Sequence, residues 1–221
     1  MSHTACMARL LASAVHDMRN ILAVIRESAG LAQDITRFGD GSAASRKELE
    51  ISLDEVRRQV VLAAQLAEGL EFMAQNGPPR GSLSQSGATG DKSNSCDLAR
   101  VCRLFCRMAA RQARAAQIRL DCAENTEPVW MESRPMPVLH CLLDVLDSCV
   151  SVGGKVDLHL AATQQEGATG IAVRVSGGDN EALALSALTA CLRPIQGMTC
   201  ARLLSTGPGT FFLVLPTGEE G

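Results

Sequence analysis

Tyrosine is absent from the 221 residues, and five Phe with a single Trp bring aromatics to only 3%. So few rings leave little on which unpaired bases would stack. Positive charge is not in excess either: 21 Lys and Arg against 24 Asp and Glu give a net −3, which argues against a protein held on nucleic acid by phosphate contacts. Nine cysteines are present, but the number is odd, they are scattered from Cys6 to Cys200, and no CxxC pair occurs. A basic segment followed by an apolar one is missing at the start, as is any run of 18 apolar residues. The expectation is a cytoplasmic chain without a membrane span, its thiols reduced and packed as small hydrophobes. Cys102 and Cys106, four apart, draw a metal site with His140 on paper only, and no metal is expected on the chain.

What is present suits a folded core: 46% of the residues are hydrophobic and 20% charged. The length allows between one and two domains at about 150 residues each. Between Met7 and Phe38, Leu11, Val15, Met18, Leu22, Ile25, Ala29 and Ala32 alternate spacings of four and three, the seam of a long helix. Gly39 to Ser42 breaks it, and Ser45 with Glu48 has the capping-box spacing that opens a second helix. There Leu49, Leu53, Val56, Val60, Ala63, Ala67, Leu70 and Ala74 repeat the pattern. Two such helices form a hairpin, and a hairpin alone buries its seam poorly. Pairing two of them across a twofold axis closes a four-helix bundle, so a homodimer is expected.

Gly77 to Ser95 is rich in Gly, Pro and Ser, the composition of a linker. Beyond it Asp97 caps a helix with Leu98, Val101, Phe105 and Met108 on one face and Arg100, Arg103, Arg107, Arg111 and Arg114 on another, the last four a row spaced 4, 4 and 3. Strands are expected at Ile118 to Cys122, Val129 to Met131, Lys155 to Thr163, Gly170 to Ser176 and Gly209 to Pro216. Helices are expected at Pro137 to Val152, ended by Gly153 and Gly154, and at Leu183 to Leu204 with a break at Pro194. The fold class is therefore α+β: a helical hairpin over 1–76, a linker over 77–95, and over 96–221 a sandwich with helices on one face of a mainly antiparallel sheet.

His16 lies one residue past Val15 on the seam, which turns it toward the face of Ala12, Arg19, Asn20, Ala23 and Glu27. It should meet water, with Asp17 beside it and Asn20 one turn along. A neutral imidazole near its ordinary pKa is a competent nucleophile toward phosphorus, and a neighbouring carboxylate orients the ring and stabilises its remaining proton. An exposed helical histidine is equally an ordinary surface residue. His140 on an apolar helix reads as a core or boundary histidine, His159 as one on the open sheet face, and His3 as one in a fraying terminus.

The stretch His16-Asp17-Met18-Arg19-Asn20-Ile21-Leu22 resembles the H-box of histidine kinase dimerisation domains, in which the phosphorylated His is followed by an acidic residue and, four positions on, by Thr or Asn. The segments from Cys96 to Leu120, Val138 to Leu160 and Gly207 to Pro216 are similar to successive parts of the kinase ATP-binding module. Departures from that family matter. Ser148 stands where a kinase has the Asn that holds Mg²⁺ and phosphates. Gly177 stands where the adenine-binding Asp belongs, with Asp179 displaced. No glycine-rich GxGLGL segment follows, and only about thirty residues, Gly178 to Pro208, separate the strands that should flank the ATP lid.

The whole is similar to the dimeric histidine phosphotransferases of bacterial phosphorelays. This resemblance implies transfer between aspartates of response-regulator receiver domains through His16, with no bound cofactor, no ATP and no autokinase activity, and with Mg²⁺ on the receiver. Asp17 would orient the ring and Arg19 or Asn20 contact the phosphoryl oxygens. Receivers would dock along His16 to Ala23 and Ala64 to Glu71, and the arginine row is either a second docking element or a solvated face. A hybrid histidine kinase is a further candidate partner. Two alternatives stay open: a response-regulator phosphatase in which Asp17 and Asn20 position water, and a non-catalytic pseudokinase scaffold that binds and inhibits a two-component partner.

Overall fold

A computed structural model describes residues 3–76, 95–124, 127–132, 135–165, 167–177, 186, 188 and 202–214. The stretch 77–94 read as a linker, most of the helix expected at Leu183 to Leu204, Asp179 and the end of the last strand lie outside them.

Helix α1 (His3–Phe38) and helix α2 (Ala43–Asn76) run 36 and 34 residues, about 50 Å each, and form the antiparallel hairpin. Their junction is tight. Gly39 donates to Ile35 O at 2.8 Å, and a Cβ on Gly39 would lie 2.3 Å from that oxygen. Gly41 takes φ 70, open to glycine without strain. The cap of α2 is Ser42, not Ser45: Ser42 Oγ accepts from Ser45 N at 3.2 Å, while Asp40 Oδ1 accepts from Ser42 N and Ser45 Oγ at 2.9 and 2.8 Å. The expected box starts three residues late because Asp40 and Ser42 already satisfy the first turn.

These bonds favour the Asp40 carboxylate and lower its pKa from 3.8 to about 2. A depressed folded-state value stabilises above pH 3.8, and the contribution is lost as pH falls toward 2. Asp40→Asn should therefore lower the urea midpoint at pH 5, and the gap from wild type should close by about pH 2.

The seam splits in two. Leu11, Met18, Ile25 and Ala32 on α1, with Leu49, Val56, Ala63 and Leu70 on α2, are buried or half-buried. The alternate positions Val15, Leu22 and Ala29, with Leu53, Val60, Ala67 and Ala74, are exposed, Leu22 by 55% and Val60 by 51%. A 4-3 repeat on one helix thus feeds two surfaces, one inside the hairpin and one facing out.

Beyond the hairpin come β1 (Ser95–Asp97), α3 (Leu98–Ala115), β2 (Ile118–Cys122), β3 (Trp130–Glu132), α4 (Pro135–Val152), β4 (Val156–Gln165), β5 (Ala168–Ser176), β6 (Arg202–Gly207) and β7 (Thr210–Val214). The main sheet runs β2-β4-β5-β7-β6; β2 and β4 are parallel and the other pairs antiparallel, while β1 and β3 form a separate antiparallel pair. Asp97 caps α3 as expected, accepting from Ala99 N at 3.0 Å. Residues 202–204, expected to end a helix, belong to β6. They pair with β7 across Pro208 and Gly209, and this long-range ladder overrides their local helical pattern.

Helix α4 is long and apolar enough by length and composition to cross a membrane, yet it is 67% buried, as a core helix is. One apolar cluster runs from Leu10, Ala14, Leu66 and Met73 of the hairpin, through Phe105 and Met108 of α3 and Leu139 and Leu143 of α4, to Leu158, Val173 and Leu213 of the sheet. Arg9 of α1 adds a two-pronged ion pair to Asp147 of α4 at 2.5 and 2.8 Å and donates to Gln112 Oε1 of α3 at 3.1 Å.

Candidate functional site

His16 occupies the flank of α1 where the heptad places it, its side chain 46% exposed. Its Nδ1 lies 3.2 Å from Asn20 Nδ2, one turn along the same face, and 3.7 Å from Asp17 Oδ1. Asp17 is the shielded member, 16% exposed. Nε2 has no hydrogen-bond partner among the described residues. An Asn20 amide nitrogen against Nδ1 goes with a ring proton on Nε2. Turning the amide over presents Oδ1 to an Nδ1–H and frees the Nε2 lone pair. Asp17 favours that second tautomer and the cation that follows attack at Nε2. Arg19 is exposed one turn from His16 and makes no ion pair among the described residues.

Asp17 and Asn20 also face an open hollow of about 410 Å³ lined by α1, α2 and α3. Gln59 and Gln65 of α2 and Arg107 and Arg114 of α3 complete its polar wall, over an apolar floor that includes Ile21 and Leu66. Two guanidinium groups and one carboxylate give this hollow a positive balance. The arginine row is thus not uniform. Arg103 leans to Asp97 at 4.0 Å, Arg107 stands 3.9 Å from Glu68, and Arg114 donates to Ala110 O of its own helix at 3.3 Å. Arg100, outside the row, takes the closer contact with Glu68 at 3.2 Å and sits over the Phe72 ring at 5.4 Å. On α2 the level of the H-box is reached by residues 59–66, about one turn earlier than the expected docking stretch.

Ser148 is buried and its Oγ donates to Asp144 O at 2.8 Å, so the hydroxyl is engaged by its own helix. Gly177 takes φ +83, a conformation side chains rarely adopt, and a Cβ there would stand 3.5 Å from Asp157 Oδ2. His140 is buried with Asp144 at 4.0 Å; burial raises the Asp144 pKa and the imidazole opposes the shift. Among the described residues no three His, Cys, Asp or Glu side chains converge as metal ligands, so the paper set Cys102, Cys106 and His140 is not assembled.

No family model matches the chain, and no curated protein matches it. Solved structures of similar shape include the nucleotide-free catalytic domain of histidine kinase ThkA, at 14% identity and TM-score 0.40 over 56% of this chain and 95% of that one. Histidine kinase AdeS of Acinetobacter baumannii gives 13% identity and TM-score 0.37 over 92% and 98% of the two chains. A structure described as a bacterial phosphotransferase gives 12% and 0.38 over 96% and 97%. None of these carries a residue role onto this chain.

Gln59 was not legible as a site residue, whereas Gln65 falls inside the expected docking stretch Ala64 to Glu71. Nothing local distinguishes Gln59; only the register of α2 against α1 brings it level with the H-box.

Proposed function

We propose that the protein is a histidine phosphotransferase that relays a phosphoryl group between aspartates of response-regulator receiver domains through His16. The single observation that carries the reading is the exposed His16 ring, engaged at Nδ1 by Asn20 and Asp17 and bare at Nε2. In the forward step the Nε2 lone pair attacks phosphorus of the receiver's aspartyl phosphate. The P–N bond forms, the P–O bond to the aspartate breaks, and the aspartate leaves as carboxylate. The proton stays on Nδ1, and the resulting cation is stabilised by Asp17. Passing the group to a second receiver reverses the same steps. Both phosphorylated species are reactive, so the exchange is nearly balanced and catalysis is mainly positioning and charge neutralisation.

Mg²⁺ belongs to the receiver in this reading, and the chain itself binds no nucleotide. The engaged hydroxyl of Ser148 and the missing side chain at Gly177 support that part. The outward row of Val15, Leu22, Leu53 and Val60 supports a homodimer, because pairing it across a twofold axis closes a four-helix bundle. Arg107 and Arg114 bring positive charge to the hollow beside His16 and suit a receiver's acidic pocket. Upstream, a hybrid histidine kinase carrying such a receiver would supply the phosphoryl group.

The test mixes the chain with a receiver bearing radiolabelled aspartyl phosphate. Label should move to this chain, and Asp17→Asn or Asn20→Ala should slow its arrival about 10- to 100-fold while far-UV dichroism stays unchanged. Asp17 and Asn20 also face the hollow where an attacking water would sit, which keeps a phosphatase as the second reading. It requires that inorganic phosphate be released without any label on the chain.

A further inference from the structure

We infer that Cys106 and Cys122 form an oxidisable pair, a modification site at which a peroxide converts two thiols into a disulfide joining α3 to β2. The placement follows from chain geometry. Helix α3 ends at Ala115 and reverses through Ala116 and Gln117, the latter at φ 60, into β2 at Ile118. Counting back from Ala115 to Cys106 at about 1.5 Å per residue covers about 13 Å. Counting forward from Ile118 to Cys122 at about 3.3 Å per residue covers about the same distance. The two positions therefore stand level across the helix-strand contact.

Side-chain direction agrees. Ile118, Leu120 and Cys122 share the inward face of β2, with Arg119 and Asp121 exposed on the other. The Cys106 thiol donates a hydrogen bond to Cys122 Sγ, both residues are half-buried, and both are free. Cys102, one turn along α3, is buried.

The two thiols are not equivalent. The hydrogen bond from Cys106 brings the Cys122 pKa down to about 7; burial and Asp121 oppose it, while Arg103 and Arg107 help. Cys106 is pushed the other way by that same bond and by burial. Cys122 is thus the attacking thiolate and Cys106 the resolving thiol. Cys122 Sγ attacks one peroxide oxygen, the O–O bond breaks, hydroxide leaves, and Cys122 becomes a sulfenic acid. Cys106 Sγ, giving its proton to the departing oxygen, then attacks Cys122 Sγ and water leaves. Two thiols lose two electrons and one peroxide becomes two waters. None of this depends on the phosphotransfer reading.

The full chain is treated with hydrogen peroxide at about pH 7.5, above the lowered Cys122 value. Remaining thiols are alkylated, and trypsin with a Glu-specific protease releases the peptides for mass spectrometry. The expected product is Leu104–Arg107 linked to Leu120–Glu124 and separated by dithiothreitol. In Cys106→Ser, dimedone should trap at least about tenfold more sulfenic acid on Cys122 than in wild type, because the resolving thiol is gone. The wild-type cross-link needs no variant, so misfolding of Cys106→Ser leaves the test standing. Recovery of Cys106 and Cys122 both alkylated after peroxide, or a cross-link between other cysteines in place of theirs, overturns the inference.

Discussion

His16→Gln should reduce phosphoryl transfer from a phosphorylated receiver to background, a loss of more than about 10³-fold, since a nucleophile has no substitute in its own step. Folding should be untouched. The ring is 46% exposed and among the described residues its hydrogen bond is to Asn20, so the change in stability should stay within about 0.5 kcal/mol. A dephosphorylation assay separates the readings. If His16→Gln still strips phosphate from the receiver at the wild-type rate, Asp17 and Asn20 are handling water and the phosphatase reading holds. If wild type neither takes up label nor releases phosphate but still binds the receiver, the chain is a scaffold.

The second large effect concerns assembly. Leu22 and Val60 stand in the outward half of the seam and contribute little to the interior of their own chain. Replacing both by Glu sets four carboxylates into the bundle that two chains would close. Burying them costs well over about 4 kcal/mol, which weakens the dimer at least about a thousandfold. Wild type should sediment at twice the 23.4 kDa chain mass, and Leu22→Glu with Val60→Glu as a single chain with unchanged helicity. A wild-type monomer at micromolar concentration, or a double variant that stays dimeric, would remove the bundle from the account.

Much of the hairpin was legible because its cause is local. The 4-3 spacing of Leu11 to Ala32 fixes a long amphipathic helix, Asp97 marks the start of α3, and Gly153 and Gly154, at φ 71 and 91, mark the end of α4. Alternation in Val156, Leu158 and Leu160 places β4 with its inner face down. What escaped was set by distant partners. A seam does not say which of its positions meet the same chain, so the division between Met18 and Leu22 shows only once α2 is docked. Strand β1 has three residues and exists only because β3 lies beside it. Strand β6 carries Leu203 and Leu204 in a context that reads as helix, and the turn signal at Pro208 and Gly209 was the clue to pairing them with Leu213 and Phe212. The site divides the same way. His16, Asp17 and Asn20 follow from one helix and could be read along it, whereas the hollow that Asp17 and Asn20 share with Gln59, Arg107 and Arg114 needs three helices in register.

The most direct test locates the phosphoryl group on the loaded chain. After brief exposure to a phosphorylated receiver, the chain is denatured in base, digested, and the modified peptide identified by mass spectrometry, with nitrogen-15 resonance on a labelled sample telling the two ring nitrogens apart. The expected result is acid-labile, base-stable phosphate on His16 at Nε2. Phosphate on another residue, at Nδ1, or on no residue while the receiver is consumed would contradict the account.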